Sequence, residues 1–371
     1  MMKKMTLRTL PALLSLAFAG TAVAASLQVM EQDASGIATS FAGSAAVAEN
    51  AATNYYNPAG LTQLKGFQFS AGVTGVKSNV EYSGAGVSGG NAGDTLASPN
   101  LYVSLPLTQD LYVGFGVSRP FALSTEYDAG WAGNGSVIKA EIKTVNYNPS
   151  LAYRLNDKVS LGLGLNYQKL DFTVTDSTPP ASFIGDDSAT GWNAGALFTL
   201  SPAMRVGLAY RSGLNYSLNG TAAGELKLPG TFTLSVWQQV SDRWEAMGDL
   251  SLTQWNRFDK STVPVIATAD QRNSWRFAWG AAYKYNDVLK AKFGFGYERA
   301  ATRDENLNLA APENDRITLS LGAQMKVGSA SKLDFGYAYK FSRDANVNQA
   351  PVVGKYETSG HVLGLQYSAG F

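Results

Sequence analysis

The sequence predicts an all-β membrane protein: a 14-stranded antiparallel transmembrane β-barrel with a small N-terminal plug containing short helices. Three observations predict it, namely an export signal, apolar residues repeating every second position through most of the chain, and an aromatic residue closing the last alternating segment. Composition agrees. Only 16% of the 371 residues are charged, below the roughly 25% usual in soluble domains. The balance of 30 Lys+Arg against 29 Asp+Glu offers no basic field for nucleic acid. Having no Cys excludes disulfides, Cys-ligated zinc, iron–sulfur clusters and thiol nucleophiles, and a single His excludes two-His zinc motifs. A Ser–His hydrolase survives that count, but His361 shares the parity of Leu363 and Leu365 and so faces lipid. No catalytic residue, metal site or cofactor is assigned, and no enzyme is expected.

Lys3, Lys4 and Arg8 precede an apolar run from Leu10 to Ala19, followed by the small-x-small pattern Ala22-Val23-Ala24. The run is about half of the roughly 20 residues a spanning helix needs, so 1–24 reads as a signal peptide cleaved after Ala24. Residues 25–65 show no strand alternation. Ile37, Phe41, Ala45 and Ala48 fall at helical spacing, and Asn54-Tyr55-Tyr56-Asn57-Pro58-Ala59-Gly60 joins two aromatics to a turn defined by Pro and Gly. A disordered periplasmic tail is the bland alternative; the aromatics favour an ordered plug inside the barrel. Phe41 and the Asn57-Pro58-Ala59 turn are its candidate gating residues.

Strands are expected near 66–76, 99–107, 110–119, 139–155, 159–174, 190–200, 204–213, 230–240, 244–257, 273–285, 288–300, 315–327, 331–343 and 357–371, making the barrel 66–371. Leu289, Ala291, Phe293, Phe295 and Tyr297 show the period most clearly. Connections alternate between short polar turns such as Asn286-Asp287 and long Gly- and Asp-rich loops, the periplasmic and outer ends of an outer-membrane barrel. Trp192, Trp244 and Trp275 fit an interfacial girdle, whereas Trp237 has inward parity. Two outer loops carry an unusual apolar load, Phe183 and Ile184 in one and Leu214, Tyr216 and Leu218 in the next, a candidate ligand groove. In the third strand Gly114, Gly116 and Pro120 are candidates for a gap, because Gly and Pro weaken or bend a ladder.

The chain resembles the outer-membrane long-chain fatty-acid transporters of the FadL type. The resemblance runs from Ala25 to Phe371 through Phe41-Ala42-Gly43-Ser44-Ala45, Asn57-Pro58-Ala59, Ser150 to Asp157, Gly207 to Ser212, Ser241-Asp242-Arg243-Trp244 and Asn314-Asp315-Arg316-Ile317. It implies a 14-stranded barrel closed by an N-terminal hatch, a kinked third strand beside it, and a monomer. Where the family begins its hatch with Asn-Glu-Phe, this chain reads Met30-Glu31-Gln32. The implied partner is a long-chain fatty acid or another hydrophobic small molecule, with outer-membrane lipid and lipopolysaccharide around the barrel. The terminal Phe371 resembles the end signal read by the barrel-assembly machinery. Magnitude favours sideways release: at about 0.8 kcal/mol per methylene, setting a roughly sixteen-carbon chain free in water costs on the order of 12 kcal/mol, and lateral release into the bilayer costs little of it. The expected function is passive uptake by capture in the loop groove and lateral exit at the third strand. A general diffusion porin, or a transporter of monoaromatic hydrocarbons or alkanes, is the alternative.

Overall fold

The structure, a computed structural model, describes residues 27–134, 137–175, 182–263, 271–304, 307 and 309–371. The expected signal peptide and its expected cleavage point lie outside the described residues. Alternation decides the architecture. Along Val159–Thr175, Leu161, Leu163 and Leu165 are exposed while Ser160, Asn166 and Gln168 are buried, the reverse of a soluble protein and the arrangement that lipid demands.

The strands in chain order are β1 Gln68–Gly84, β2 Thr95–Pro106, β3 Leu111–Ser118, β4 Ala122–Glu126, β5 Lys139–Asn156, β6 Val159–Thr175, β7 Ser182–Ser201, β8 Met204–Arg211, β9 Leu214–Leu218, β10 Gly224–Leu228, β11 Thr231–Gln239, β12 Trp244–Thr253, β13 Ser274–Lys284, β14 Leu289–Glu298, β15 Arg316–Lys326, β16 Ser331–Ser342, β17 Ala345–Gln349 and β18 Val352–Gly370. Sixteen form one antiparallel sheet, and pairing of β1 with β18 closes it. Two of these sixteen are continuations, β4 of β3 along β5 and β17 of β16 along β18, so the closed barrel has fourteen strands. The remaining β9 and β10 form a separate hairpin.

Several strands run further outward than the apolar period shows. β1 continues to Gly84, β7 begins at Ser182 and β18 at Val352. Above the bilayer no lipid faces the wall, so the pattern fades while the backbone ladder continues, as at Glu81 opposite Glu357. The outer end is filled by one apolar core, in which Tyr127 stacks on Trp131 with ring centroids 3.8 Å apart.

Residues from Leu27 to Leu64 lie within the barrel as a plug. Helix α1 (Ala34–Ile37) is capped by Asp33, whose side chain accepts from Gly36 N–H; α2 (Thr53–Tyr56) and a 3-10 helix (Pro58–Gln63) follow. The helical spacing through Ala48 does not become one long helix. Ser40, Phe41 and Ala48 take left-handed φ values of 50°, 58° and 46°, which break it and cost about 1–2 kcal/mol each. Packing holds them, since Phe41 is buried with Ile37, Ala338 and Val362.

Candidate functional site

The Asn57-Pro58-Ala59 turn ties the plug to the wall. Asn57 is fully buried and caps the 3-10 helix by accepting from Ala59 N–H (3.1 Å). Its Nδ2 donates to the Ala45 carbonyl of the plug (2.7 Å) and the Ala196 carbonyl of β7 (3.1 Å). Close approach needs glycine in the wall: a Cβ on Gly195 would overlap Asn57 Oδ1, and one on Gly162 would overlap Ala59 N. Phe41 lies beside Tyr56, rings 5.9 Å apart.

The wall is interrupted beside the plug. Leu101 of β2 pairs with Val117 of β3, but among the described residues no ladder joins Thr95–Asn100 to β4. Pro120 stands in the break, and higher up Glu126 N–H donates to the Ala92 carbonyl (3.1 Å), which bounds a window. Gly114 and Gly116 lie below it, in fully paired β3. Their role is room, since a Cβ on either would crowd Asn54.

The start of the plug stitches the window shut. Gln28 bridges Phe121, Val29 N–H donates to the Pro120 carbonyl (2.8 Å), and Ala122 N–H donates to the Leu27 carbonyl (2.9 Å). Gln32 substitutes for a missing strand neighbour. Its Oε1 accepts from Arg119 N–H (3.1 Å) and its Nε2 donates to the Arg119 carbonyl (2.8 Å), the two bonds a paired strand would supply. Arg119 then reaches across the opening to the Ala97 carbonyl of β2 (3.2 Å).

Behind the window is a cavity with two chemistries. Val29, Val76, Leu96 and Ala122 form its apolar end beside the window. Glu31, Arg316 and Lys340 form the ionic end, shared with a second cavity that Arg276 and Glu298 also line. Lys340 pairs with Glu31, Arg316 with Glu298, and Arg276 donates to the Ser40 carbonyl.

Other charges anchor the plug. Glu49 pairs with Lys292; burial alone would raise its carboxyl, but Lys292, Lys290 and Lys332 hold it well below the usual range. Burial pushes Asp33 up to about 6, although Gly36 N–H opposes the shift. Arg211 donates to Asn166 and to the Tyr55 carbonyl (2.8 Å) and lies over the Tyr55 ring.

The loop residues occupy two environments. Leu214, Tyr216 and Leu218 are buried in the outer core, Phe183 packs partly buried against it, and Ile184 is exposed. Trp237 points inward, packed against Ala46 and Ala59 of the plug. Sequence reading missed Glu31, Gln32, Arg119, Arg316 and Lys340 as a group. The one available signal was the departure at Met30-Glu31-Gln32, because the partners are assembled only by barrel closure.

A lipid-facing barrel with a packed plug, a window and an amphipathic chamber defines an outer-membrane transport protein. The sequence matches, over residues 15–371, the family described as "Outer membrane protein transport protein (OMPP1/FadL/TodX)", and the chain belongs to that family. It is accordingly a protein of the bacterial outer membrane and a transporter or channel rather than an enzyme. It is similar to Outer membrane protein P1 of Haemophilus influenzae, 28% identical with 91% of this chain and 90% of that one covered. It is also similar to the Long-chain fatty acid transport protein of Escherichia coli K12, 26% identical with 94% of each covered. A crystal structure of a Pseudomonas aeruginosa FadL homologue superposes with a TM-score of 0.84 at 19% identity, covering 93% of this chain and 99% of that one, which supports the fold.

Proposed function

We propose that the protein takes up long-chain fatty acids passively, holds the carboxylate at the ionic end of the chamber, and releases the chain sideways through the window between β2 and β4. The chamber carries this reading: Lys340 and Arg316 stand at one end, and Val76, Leu96 and Ala122 at the end that meets the window. A carboxylate gains charge-assisted bonds there while its tail lies toward lipid. Alkanes and monoaromatic hydrocarbons would leave the ionic end unused. A general porin needs an open lumen, whereas Ala51, Ala52, Asn57, Ala59 and Leu61 of the plug are fully buried.

Ligand first meets the outer loops. Ile184 is exposed beside the packed hairpin of β9 and β10, so capture proceeds by parting apolar side chains that already shield one another. Burial drives this step, and the window makes exit cheap compared with release into periplasmic water.

A disulfide across the stitch tests the route. The chain has no native Cys, and Gln28 and Phe121 are antiparallel bridge partners. With Gln28→Cys and Phe121→Cys combined, oxidation should stop fatty-acid transfer into vesicles and a reductant should restore it. Unchanged transfer by the oxidised protein would rule out this window as the exit.

A further inference from the structure

Away from the plug, the outer surface of the wall carries a charged row where its apolar band ends. On β14 the outward positions are apolar from Leu289 to Tyr297, and the next is Arg299. On β15 they are apolar from Met325 to Ile317, and the next is Asp315; on β16 they are apolar from Leu333 to Phe341, and the next is Arg343. A tilted strand climbs about 20 Å across the membrane between Leu289 and Tyr297, most of the roughly 25 Å apolar band. The row above it therefore stands at the lipid headgroups, level with the girdle residue Trp275, whose carbonyl accepts from Arg299 N–H (2.9 Å).

The three charges are cross-strand neighbours. Glu298 pairs with Arg316 and Arg316 with Ser342, and Arg343 N–H donates to the Asp315 carbonyl (2.9 Å). Asp315 thus lies between two arginines that stand two strand spacings, about 10 Å, apart. Its carboxylate is already engaged, by Tyr297 Oη (2.8 Å), by Ala300 N–H (3.0 Å) and by Arg272 at 3.7 Å. Asp344 and Glu357, the acids beside Arg343, both pair with Lys355. Arg299 and Arg343 are exposed, and among the described residues neither side chain has an ion pair or hydrogen bond.

We infer that Arg299 and Arg343 form a docking site for lipid A on the outer wall, each guanidinium taking one of the phosphates at the two ends of its disaccharide. The acyl chains then lie down the apolar face below. Charge complementarity selects this occupant, because a guanidinium fork matches a phosphate and nothing in the protein satisfies either one. Spacing selects it further. A single phosphate set between the arginines would meet Asp315, whereas a sugar hydroxyl at that point can donate to the carboxylate. A phospholipid with one phosphate fills half of the site. The protein belongs to the bacterial outer membrane, whose outer leaflet is built on lipid A. The site depends on that location alone and is independent of what the chamber carries.

The test is native mass spectrometry of the purified protein titrated with diphosphoryl lipid A, monophosphoryl lipid A and phosphatidylglycerol. Wild type should bind the diphosphoryl form about tenfold or more tighter than either other lipid, as expected for one further charge-assisted contact. Arg299→Ala and Arg343→Ala should each lower diphosphoryl binding to the level of the monophosphoryl form. Lys169→Ala, which removes an exposed cation on the outward face of β6, should leave it unchanged. Equal binding of the three lipids by wild type would overturn the inference, as would a loss in Lys169→Ala as large as in the arginine variants. The wild-type preference needs no variant, so the inference stays decidable if a substitution impairs folding, which heat-modifiable gel migration reports.

Discussion

Single side chains in this protein act by supplying backbone-like bonds where backbone is missing. Asn57 satisfies one N–H and two carbonyls on three separate segments. Asn57→Asp keeps the acceptor but turns a carboxylate toward two buried carbonyls, with a cost of about 1–3 kcal/mol for each unsatisfied group. Amide hydrogen exchange over residues 57–63 should quicken accordingly, with the strands unaffected. Asp33 adds a pH dependence. Its folded carboxyl holds a proton up to about 6 against an ordinary 3.8, so the plug loses stability as pH rises through that interval and regains it on acidification. Glu49 has the opposite sign, since its lowered carboxyl contributes stability above the ordinary 4.5 that is lost as pH falls. Asp33→Asn should therefore protect the plug at neutral pH and remove the decline between about 4 and 6. Exchange measured at both ends of that range checks the sign.

The element with most to reveal is the broken third strand, whose two pieces share β5 as a neighbour while the other edge opens. An open edge inside a membrane is expensive unless its groups are paired, so the stitch is needed whenever the window is shut. Gln32→Ala deletes both side-chain bonds to Arg119, and the Arg119 amide should exchange about tenfold faster or more, in line with roughly 1–2 kcal/mol per buried unpaired group. Barrel melting should not change, because the ladder from Leu101–Val117 downward is untouched. The glycines of β6 and β7 matter in another way. Gly195→Val places a branched side chain where Asn57 sits, and should loosen the whole 3-10 helix. Faster proteolysis of the plug, with normal barrel migration on unheated gels, is the expected outcome.

At the scale of the molecule, barrel and plug are held by different kinds of contact. The wall is held by continuous ladders closed at β1–β18, whereas the plug is held by side-chain bonds and by fit against glycine. Deleting Asn57 to Ala59 should impair fatty-acid uptake while leaving heat-modifiable migration intact; normal uptake by that deletion would refute a gating role for the turn. Planar-bilayer recordings give a second check. The intact protein should pass little current, and removal of residues 27–65 should produce large, steady conductance.

The sequence by itself determined the membrane barrel and its strand count, because a period of two with the bulky side outward is a local property that lipid imposes on every strand in the same way. The Asn57-Pro58-Ala59 turn was legible for a similar reason, since capping by Asn and initiation by Pro act within a few residues. The outward reach of β1, β7 and β18 was not legible, because above the bilayer the ladder persists after the apolar pattern has ended. Only the tertiary structure decided that Gln32 completes the backbone at Arg119 and that Glu31 meets Lys340. Those partners lie far apart along the chain, and no local pattern encodes a contact that exists only after the sheet has closed around the plug.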